Sequence, residues 1–215
     1  MPLDTTDLRV NYTMGELLED QAPAEPMPLF ESWFKAAQDS GTPEPNAMVV
    51  ATMQPDGMPS ARVVLLKEVT AAGFIFYSNY ESRKGRELSQ NPKAALVFNW
   101  LELQRQVRIE GRVERISAEK SAAYFHSRPL GSQLGAMASP QSQVIPNRRP
   151  LEDKMAELEG KYAGQDRAPK PDNWGGYLVV PQLIEFWQGR KSRLHDRLVY
   201  TKSEAGSWNR VRLAP

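Results

Sequence analysis

Residues 61–88, ARVVLLKEVTAAGFIFYSNYESRKGREL, contain the features that decide the fold of this chain. Residues 62–67 are mostly β-branched or aliphatic with a cation at each end, so they predict a largely buried strand. A turn at residues 71–73 then leads into a second predicted strand over residues 74–77. Two short strands joined by a tight turn are typical of an antiparallel sheet.

A helix is predicted directly after these strands, because residues 79–82 supply capping side chains. Its first turns carry Arg83, Lys84 and Arg86. Cations are unfavourable at the positive end of a helix dipole unless an anion lies among them. Free N–H groups at a helix start also bind phosphate well. The sequence therefore indicates a phosphate site here. A solvated, charged helix without a ligand is the alternative interpretation, and the spacing alone favours neither.

The first strand presents two separate cations. Arg62 and Lys67 are five residues apart, so on a regular strand they point to opposite faces, about 17 Å apart along it. One strand could then serve two different anions. The alternative is a strand whose two ends are simply solvated.

The composition excludes several classes of protein. The 215 residues include 27 Lys and Arg against 26 Asp and Glu, a net charge of +1 that argues against nucleic acid as the main partner. Cysteine is absent and only two histidines occur, so no metal site is predicted. No apolar run approaches membrane-spanning length, and a cytoplasmic protein is expected.

The rest of the chain alternates between strands and helices without βαβ units. Helices are predicted to begin near residues 28, 118 and 150. Strands are predicted over residues 47–53, 59–67, 94–100, 104–116, 177–180, 184–187, 193–200 and 208–213. This order favours a closed antiparallel barrel with helices packed outside it. Residues 28–215 are expected to form this single domain, after a mobile N-terminal segment over residues 1–27.

Two stretches allow more than one interpretation. Residues 106–112 alternate polar and apolar side chains, which is typical of a solvated sheet face and less often of a polar pocket. Residues 131–142, GSQLGAMASPQS, are small or hydroxylated, which suits close approach to a ligand and equally suits a plain loop.

The densest chemical cluster lies near the C-terminus at residues 193–197, RLHDR. On a strand Arg193, His195 and Arg197 share one face. Three potential cations in a row repel one another unless an anion or an electron-rich ring lies across them. A functional role for His195 is therefore favoured over that of an ordinary core histidine.

These motifs resemble the pyridoxine (pyridoxamine) 5′-phosphate oxidase family. The resemblance rests on RVVLLK (62–67), YSNYESRKGREL (77–88), QVRIEG (106–111), YFHSRPLGSQLGAMASPQS (124–142), FWQGRKSRLHDR (186–197) and the terminal RLAP. It covers nearly all of residues 28–215. Met137, where the family more usually has tryptophan, is one departure. The resemblance implies an FMN-binding split barrel, mainly β with peripheral helices, that assembles as a homodimer.

The resemblance also implies a role for particular residues. It assigns the FMN phosphate to Arg62, Arg83, Lys84 and Ser142, and the rest of the cofactor site to Val63, Val64, Leu65, Leu66, Lys67, Tyr77, Ser78, Gln106, Gln141, Trp187 and Arg197. It assigns the substrate phosphate to Lys67, Tyr124, Arg128 and Ser132, and the pyridine ring to Arg193, Leu194 and His195. Arg9 and Tyr12 match a segment that closes over the substrate. Arg193, His195 and Arg197 are the implied catalytic residues.

The implied reaction oxidises pyridoxamine 5′-phosphate or pyridoxine 5′-phosphate to pyridoxal 5′-phosphate. A hydride leaves the substrate's C4′ carbon for the flavin, and O₂ then takes the electrons and becomes hydrogen peroxide. The alternatives are another split-barrel flavoprotein such as a flavin reductase, a non-enzymatic carrier of pyridoxal phosphate, and a nucleic-acid binder. A reductase has no need of the second phosphate clamp at Tyr124, Arg128 and Ser132.

Overall fold

The computed structural model describes residues 3, 5–8 and 10–215, and the helices and strands below lie in that part of the chain. Its five helices are α1 (Pro26–Asp39), α2 (Arg83–Gln90), α3 (Ala118–Ser127), α4 (Leu130–Ala138) and α5 (Arg149–Lys161). Its nine strands are β1 (Ala47–Met53), β2 (Pro59–Leu65), β3 (Glu68–Thr70), β4 (Gly73–Asn79), β5 (Lys93–Trp100), β6 (Arg105–Arg115), β7 (Trp174–Gln188), β8 (Asp196–Lys202) and β9 (Trp208–Arg212). Two single 3₁₀ turns cover Leu101–Leu103 and Lys191–Arg193.

The strands form one sheet in the order β2-β1-β5-β6-β7-β4-β3, with β8 paired to β7 and β9 paired to β8. The ladders between β3 and β4, β4 and β7, β7 and β8, and β8 and β9 are antiparallel. Phe76 stands opposite Tyr177 in one of them, and Phe186 stands opposite Leu198 in another. The predicted class, a mainly β antiparallel fold with helices, is confirmed.

The chain divides into two compact units that interleave along the sequence. The first unit contains the described residues up to Val49, together with Ala95–Glu110 and Pro181–Pro215. Its core is aromatic: Phe30 of α1 packs edge-on against Phe98 at 5.2 Å between ring centroids, and Trp33 packs against Phe186 at 5.3 Å. Helix α1 supplies these rings because its apolar residues recur at helical spacing on one face.

The second unit contains Val50–Ala94 and Gly111–Val180. Strands β4 and β7 form its centre, where Phe74, Phe76 and Val179 have no exposed surface. Helices α4 and α5 bury a smaller cluster around Leu134 and Leu158. The unit therefore offers a firmly packed sheet on which β2, α2 and the α3–α4 pair can hold a site.

One predicted break in the sheet does not occur. Residues 177–180 and 184–187 were expected as two strands, but β7 is continuous from Trp174 to Gln188 and includes Pro181. Proline cannot donate to a ladder. Here β7 pairs with β4 over residues 174–179 and with β8 over residues 183–188, so Pro181 lies between the two ladders.

Of the two interpretations left open for residues 131–142, the plain loop is wrong, because residues 131–138 belong to helix α4, where Ala and Leu sustain a helix between the small residues. One other expectation was wrong in detail. Strand β8 begins at Asp196, not at residue 193, because Ser192 and Arg193 adopt left-handed backbone angles (φ 57° and 62°). The shared strand face predicted for Arg193, His195 and Arg197 therefore does not exist.

The N-terminal segment, within its described residues, makes specific contacts in the first unit. Leu17 is buried, and its N–H donates to Asp196 Oδ2 at 3.0 Å. Arg212 binds both oxygens of Glu19. None of the helices in the described part of the chain has the length and apolar character needed to cross a membrane.

Candidate active site

The second unit contains an open cavity of ≈ 750 Å³ with several cations in its wall, which we call the cationic cavity. The predicted cofactor and substrate residues that line it are Arg62, Val63, Val64, Leu65, Lys67, Tyr77, Ser78, Arg83, Lys84, Tyr124, Arg128, Gln141 and Ser142. Leu66 belongs to the same stretch of sequence but is buried away from the cavity wall. Side chains that are distant in the sequence thus surround one space.

A buried carboxylate holds two of these cations. Glu87 is 4% exposed; its Oε2 lies 3.2 Å from Arg62 Nη2, and its Oε1 accepts from Arg83 Nε at 3.0 Å. Thr52 Oγ1 also donates to Glu87 Oε2 at 2.5 Å, and the Arg62 guanidinium donates to the hydroxyls of Thr52 and Ser60. Burial raises the pKa of Glu87, but the hydrogen bonds from Thr52 and Arg83 and the Arg62 charge outweigh it and leave this pKa below its usual value. Glu87 is therefore ionised and fixes both arginines.

Lys84 differs from the two arginines because its ammonium contacts no carboxylate among the described residues. Its Nζ donates to Ser78 Oγ (2.9 Å), Gln141 Oε1 (3.1 Å) and Ser82 Oγ (3.2 Å), all of them neutral. The side chain is buried, and this desolvation, followed by repulsion from Arg62, lowers the pKa of Lys84 to about 8. A buried ammonium held only by neutral oxygens is well suited to bind an anion.

The start of α2 brings backbone donors to the same place. Ser82 caps the helix by accepting from the N–H of Gly85 at 3.3 Å, and the first turn has no acidic residue. Gly85 packs so closely on the carbonyl of Tyr80 that a side chain there would collide with the backbone. The helix start, with its positive dipole end and Lys84, is thereby held at the cavity.

An aromatic wall closes another side of the cavity. Tyr77 stacks on Tyr124 at 3.9 Å between centroids, and both rings are nearly parallel to Trp174. The Arg128 guanidinium lies 4.9 Å from the Trp174 ring centroid. Its Nη2 donates to the carbonyl of Ser132 at 2.6 Å, whereas its Nη1 is buried and has no hydrogen-bond partner in the part of the chain that the structure describes. Buried donors of this kind are rare unless a ligand satisfies them.

Lys67 does not occupy the position expected for it. The opposite faces predicted for Arg62 and Lys67 require a regular strand through residue 67, but β2 ends at Leu65. Lys67 follows as an exposed residue whose N–H donates to Ile75 O at 2.8 Å. Arg62 and Lys67 line the same cavity, so strand alternation does not separate them.

Gln141 and Ser142 reach the cavity after α4 has ended. Gln141 Oε1 lies 3.3 Å from Ser78 Oγ, in addition to its contact with Lys84. Ser142 adopts a left-handed backbone conformation, with φ 70°. Such a conformation is uncommon for a residue other than glycine and recurs at ligand sites.

The first unit contains a second group of predicted site residues. The rings of Tyr12, Trp187 and His195 contact one another, and we call these three residues the aromatic cluster. The Trp187 and His195 centroids are 4.6 Å apart, and Tyr12 lies 5.6 Å from His195. A cavity of ≈ 520 Å³ adjoins the cluster, and Arg193 is part of its wall.

The hydrogen bond at His195 defines its protonation. The N–H of Arg190 donates to His195 Nδ1 at 3.1 Å, so Nδ1 carries no proton. Burial, followed by repulsion from Arg193, lowers the pKa of His195. The neutral ring then carries its proton on Nε2, which can donate a hydrogen bond to a ligand.

A second buried carboxylate orients Arg197 in the first unit. Glu185, 4% exposed, accepts from Arg197 Nε at 2.7 Å and from Arg108 Nη1 at 3.2 Å. Arg197 Nη1 also donates to the carbonyl of Ala214 at 3.1 Å. The hydrogen bond to Glu185 raises the pKa of Arg197. This guanidinium is permanently charged and held at two points.

The remaining predicted residues are placed as follows. Gln106 is half-buried on β6 in the first unit, and the side chain of Leu194 is exposed. Ser132 contacts Arg128 through its carbonyl. Arg9, predicted for a substrate lid, lies outside the described residues.

Sequence reasoning missed Glu87, Thr52 and Glu185, which hold the site's arginines. The spacing of Arg83 and Glu87, four residues apart on a predicted helix, was an available signal for one pair. The contacts of Thr52 and Glu185 join residues 10 to 77 positions apart, which local patterns do not reveal. Within the described residues no group of three or more His, Cys, Asp or Glu could hold a metal ion.

A mainly β protein with an open, cation-lined cavity has the features of an anion-binding site. Its sequence and fold also have relatives among known proteins. Residues 34–162 match the sequence profile of pyridoxamine 5′-phosphate oxidase, and residues 174–215 match that of the pyridoxine 5′-phosphate oxidase C-terminal dimerisation region. The chain belongs to the pyridoxamine 5′-phosphate oxidase family, as its motifs predicted.

Individual relatives agree with this assignment. The chain is 54% identical over 215 residues to a pyridoxine/pyridoxamine 5′-phosphate oxidase of Microcystis aeruginosa, covering 100% of both chains. It is 55% identical over 210 residues to the enzyme of the same name from Salinibacter ruber, covering 97% and 98%.

Solved structures show the same fold. PhzG from Burkholderia lata, in complex with tetrahydrophenazine-1-carboxylic acid, superposes with a TM-score of 0.86 at 30% identity, over 93% of this chain and 98% of that one. An FMN-binding protein from Nostoc punctiforme, related to pyridoxamine 5′-phosphate oxidase, gives 0.72 at 16% identity, over 90% and 99%. The predicted split-barrel class is confirmed.

Proposed function

We propose that this protein is an FMN-dependent oxidase that converts pyridoxamine 5′-phosphate and pyridoxine 5′-phosphate to pyridoxal 5′-phosphate. Its co-substrate is O₂ and its by-product is hydrogen peroxide, with ammonia released from the amine. The observation that carries the proposal, beside family membership, is the buried Lys84 ammonium in a cavity lined by Arg62 and Arg83. Such a site fits a phosphate dianion, since three cations and one fixed carboxylate leave it positive.

The residues present fit FMN. Its phosphate would bind Arg62, Arg83, Lys84 and Ser142 at the start of α2. The remainder of the cofactor would contact Tyr77, Ser78 and Gln141 in the same cavity. The family resemblance also assigns Gln106, Trp187 and Arg197 to the cofactor. When bound, FMN supplies the hydride acceptor and the reaction with O₂. The protein's own residues bind and orient the reactants.

The substrate phosphate would bind Lys67, Tyr124 and Arg128, near Ser132. The unpartnered Nη1 of Arg128 supports this assignment, because a phosphate oxygen would satisfy it. Arg193 and His195 would orient the pyridine ring, with His195 donating from Nε2. Arg197, held by Glu185, would stabilise negative charge that develops on the cofactor.

We also propose a homodimer, which the match of residues 174–215 to a dimerisation region supports. A single mass of twice the chain, by light scattering, is the expected result. A monomer that still binds FMN would contradict this part of the proposal. The cytoplasmic location stays a prediction from the sequence.

The first experiment tests for the cofactor and for the reaction. The purified protein should be yellow, release FMN on denaturation, and form hydrogen peroxide from pyridoxamine 5′-phosphate. A colourless protein that does not bind added FMN would contradict the proposal, and would leave a carrier of pyridoxal phosphate as the alternative. FMN binding without oxidation would favour a flavin reductase. Oxidation of tetrahydrophenazine-1-carboxylic acid, the PhzG ligand, should be weak because that compound has no phosphate for Lys67 and Arg128.

Paired variants distinguish the residues proposed for the FMN phosphate from those proposed for the substrate phosphate. Lys67→Ala should raise KM for pyridoxine 5′-phosphate and leave FMN affinity within about twofold. Arg62→Ala should weaken FMN while the residual holoenzyme keeps a near-normal KM. If Lys67→Ala empties the flavin site, the assignment of the two phosphates is wrong.

A further inference from the structure

Gln104 has an unusual backbone conformation at a junction in the first unit. It follows the 3₁₀ turn Leu101–Leu103 and adopts left-handed angles, φ 54° and ψ 41°. Its own N–H donates back to the carbonyl of Leu101 at 3.0 Å. Long side chains rarely adopt this conformation, so its presence here indicates that the surrounding contacts hold it.

The side chain of Gln104 binds the N-terminal segment. Its Oε1 accepts from the backbone N–H of Thr13 at 2.7 Å and from that of Met14 at 3.1 Å. Both N–H groups belong to a stretch outside helix and strand, so neither of them is used in a helix or sheet hydrogen bond. One amide oxygen thus fixes two consecutive residues of the segment.

The backbone of Gln104 binds the end of β7 at the same time. Its carbonyl accepts from the N–H of Gly189 at 2.8 Å and from Gln188 Nε2 at 3.2 Å. Gly189 follows Trp187 by two residues, so Gln104 connects the segment that carries Tyr12 to the strand end that carries Trp187.

Gly189 provides a second, independent observation. A Cβ built on Gly189 would lie 2.8 Å from Tyr12 Cγ and 3.1 Å from Gln104 Cβ. Real Cβ atoms do not approach a ring this closely, so only glycine permits the observed position of Tyr12. Tyr12 is therefore fixed by two features: the hydrogen bonds of its neighbours to Gln104, and the missing side chain at Gly189.

We propose that Gln104 is a positioning residue that holds Tyr12 against Trp187 and His195, and so shapes the site for the substrate ring. The proposal rests on the proposed function for the identity of the substrate. The contact itself does not depend on that function. Gln104 need not touch the substrate: it acts through the backbone of Thr13 and Met14.

The test compares two substitutions of Gln104 in the holoenzyme. Gln104→Asn keeps the amide and tolerates the left-handed backbone, but is one methylene shorter and cannot reach both N–H groups. Gln104→Glu keeps an acceptor oxygen at the same reach. Hydrogen exchange at the Thr13 and Met14 amides, read by fragment mass spectrometry, reports the contact directly.

We expect Gln104→Asn to accelerate exchange at these two amides about tenfold and to raise KM for pyridoxamine 5′-phosphate about five- to tenfold, the effect of losing one to two hydrogen bonds. FMN affinity should stay within about twofold. Gln104→Glu should leave the exchange rate of the two amides and the KM close to those of the unmodified protein. Gly189→Ala should raise KM by displacing Tyr12, whereas the matched control Gly160→Ala, which has open space around its Cα, should not.

The outcomes separate the two proposals. Unchanged exchange in Gln104→Asn would overturn the positioning role. Faster exchange with unchanged KM would also overturn it, because the contact would then have no effect on substrate binding. If the unmodified protein does not oxidise pyridoxamine 5′-phosphate, the proposed function fails, and the exchange measurement still decides whether Gln104 holds the segment.

Discussion

The cationic cavity of the second unit and the aromatic cluster of the first unit hold their side chains by different means. In the cavity, Arg62, Arg83 and Lys84 stand on β2 and α2 and bind buried partners. In the cluster, His195 lies in irregular backbone, beside an exposed Arg193 in a left-handed turn. The cations of the cavity are held by buried residues. In the cluster Trp187 lies on β7, whereas Tyr12 and His195 lie on connecting segments.

This difference has a physical reason in the tasks proposed for the two regions. A tightly bound cofactor gains affinity from donors that are fixed before it binds. A substrate that must enter and leave is better served by segments whose contacts are few and replaceable. Perturbations of the cavity residues proposed for the FMN phosphate, and of Glu87 that holds them, should therefore change cofactor affinity or unfolding strongly. Perturbations of the cluster should change substrate KM modestly.

The largest effect is expected at Lys84. Lys84→Met should weaken FMN by about 1.5–3 kcal/mol, the scale of a hydrogen bond to a charged group, and leave riboflavin affinity unchanged. The same change should stabilise the FMN-free protein, because a desolvated ammonium is removed from the interior. Fluorescence quenching titrations measure the affinities for FMN and riboflavin, and urea unfolding measures the stability of the FMN-free protein. Equal losses for FMN and riboflavin would show that Lys84 does not bind the phosphate.

Glu87 should affect stability more than any residue of the aromatic cluster. Glu87→Gln keeps the shape but removes the charge that holds Arg62 and Arg83, so the free energy of unfolding should fall by about 1–3 kcal/mol. Denaturant unfolding of the FMN-free protein provides the measurement. Glu152→Gln, at an exposed ion pair with Arg148, is the control and should change stability by less than about 0.5 kcal/mol.

The pH dependence of cofactor binding should follow Lys84. With the pKa of Lys84 at about 8, the FMN dissociation constant should rise about tenfold between pH 7 and pH 9 as the ammonium loses its proton. In the FMN-free protein, deprotonation of Lys84 has a favourable effect on stability. The unfolded chain, with a lysine pKa near 10.4, binds more protons in the interval above pH 8, so this residue's contribution makes stability rise with pH there.

Lys84→Met is the control for that profile, and it should abolish both slopes. A wild-type affinity that is independent of pH across this interval would contradict the assignment of the buried ammonium to the phosphate.

The smallest effect is expected in the aromatic cluster. Tyr12→Ala removes ring contacts to Trp187 and His195, each of them worth about 0.5–1.5 kcal/mol. KM for pyridoxamine 5′-phosphate should rise severalfold, with FMN affinity unchanged. Steady-state kinetics with saturating FMN measures this. A loss of FMN that exceeds the loss of substrate binding would remove the distinction between the two regions.

Much of the fold was predictable because it rests on local patterns. Strand β1 matches the predicted range, α2 begins directly after the predicted capping residues 79–82, and α3 begins at Ala118, where a helix start was predicted. Side-chain alternation and capping act over a few residues, so a single sequence records them. The exceptions at Pro181 and Arg193 depend on which strand lies alongside and on left-handed backbone, and neither follows from local preference.

The candidate site, like the fold, was predictable in part. The sequence by itself determined which cations cluster, at residues 62–67, 83–86 and 193–197, and its motifs identified the family. Only the tertiary structure decided what each cation contacts. Glu87 binds Arg62 from 25 positions away, Gln141 reaches Lys84 from 57, and Gln104 binds Thr13 from 91. Burial also lowers the pKa of Lys84 and that of His195. Desolvation depends on every neighbour that excludes water, and those neighbours come from the whole of a folded unit.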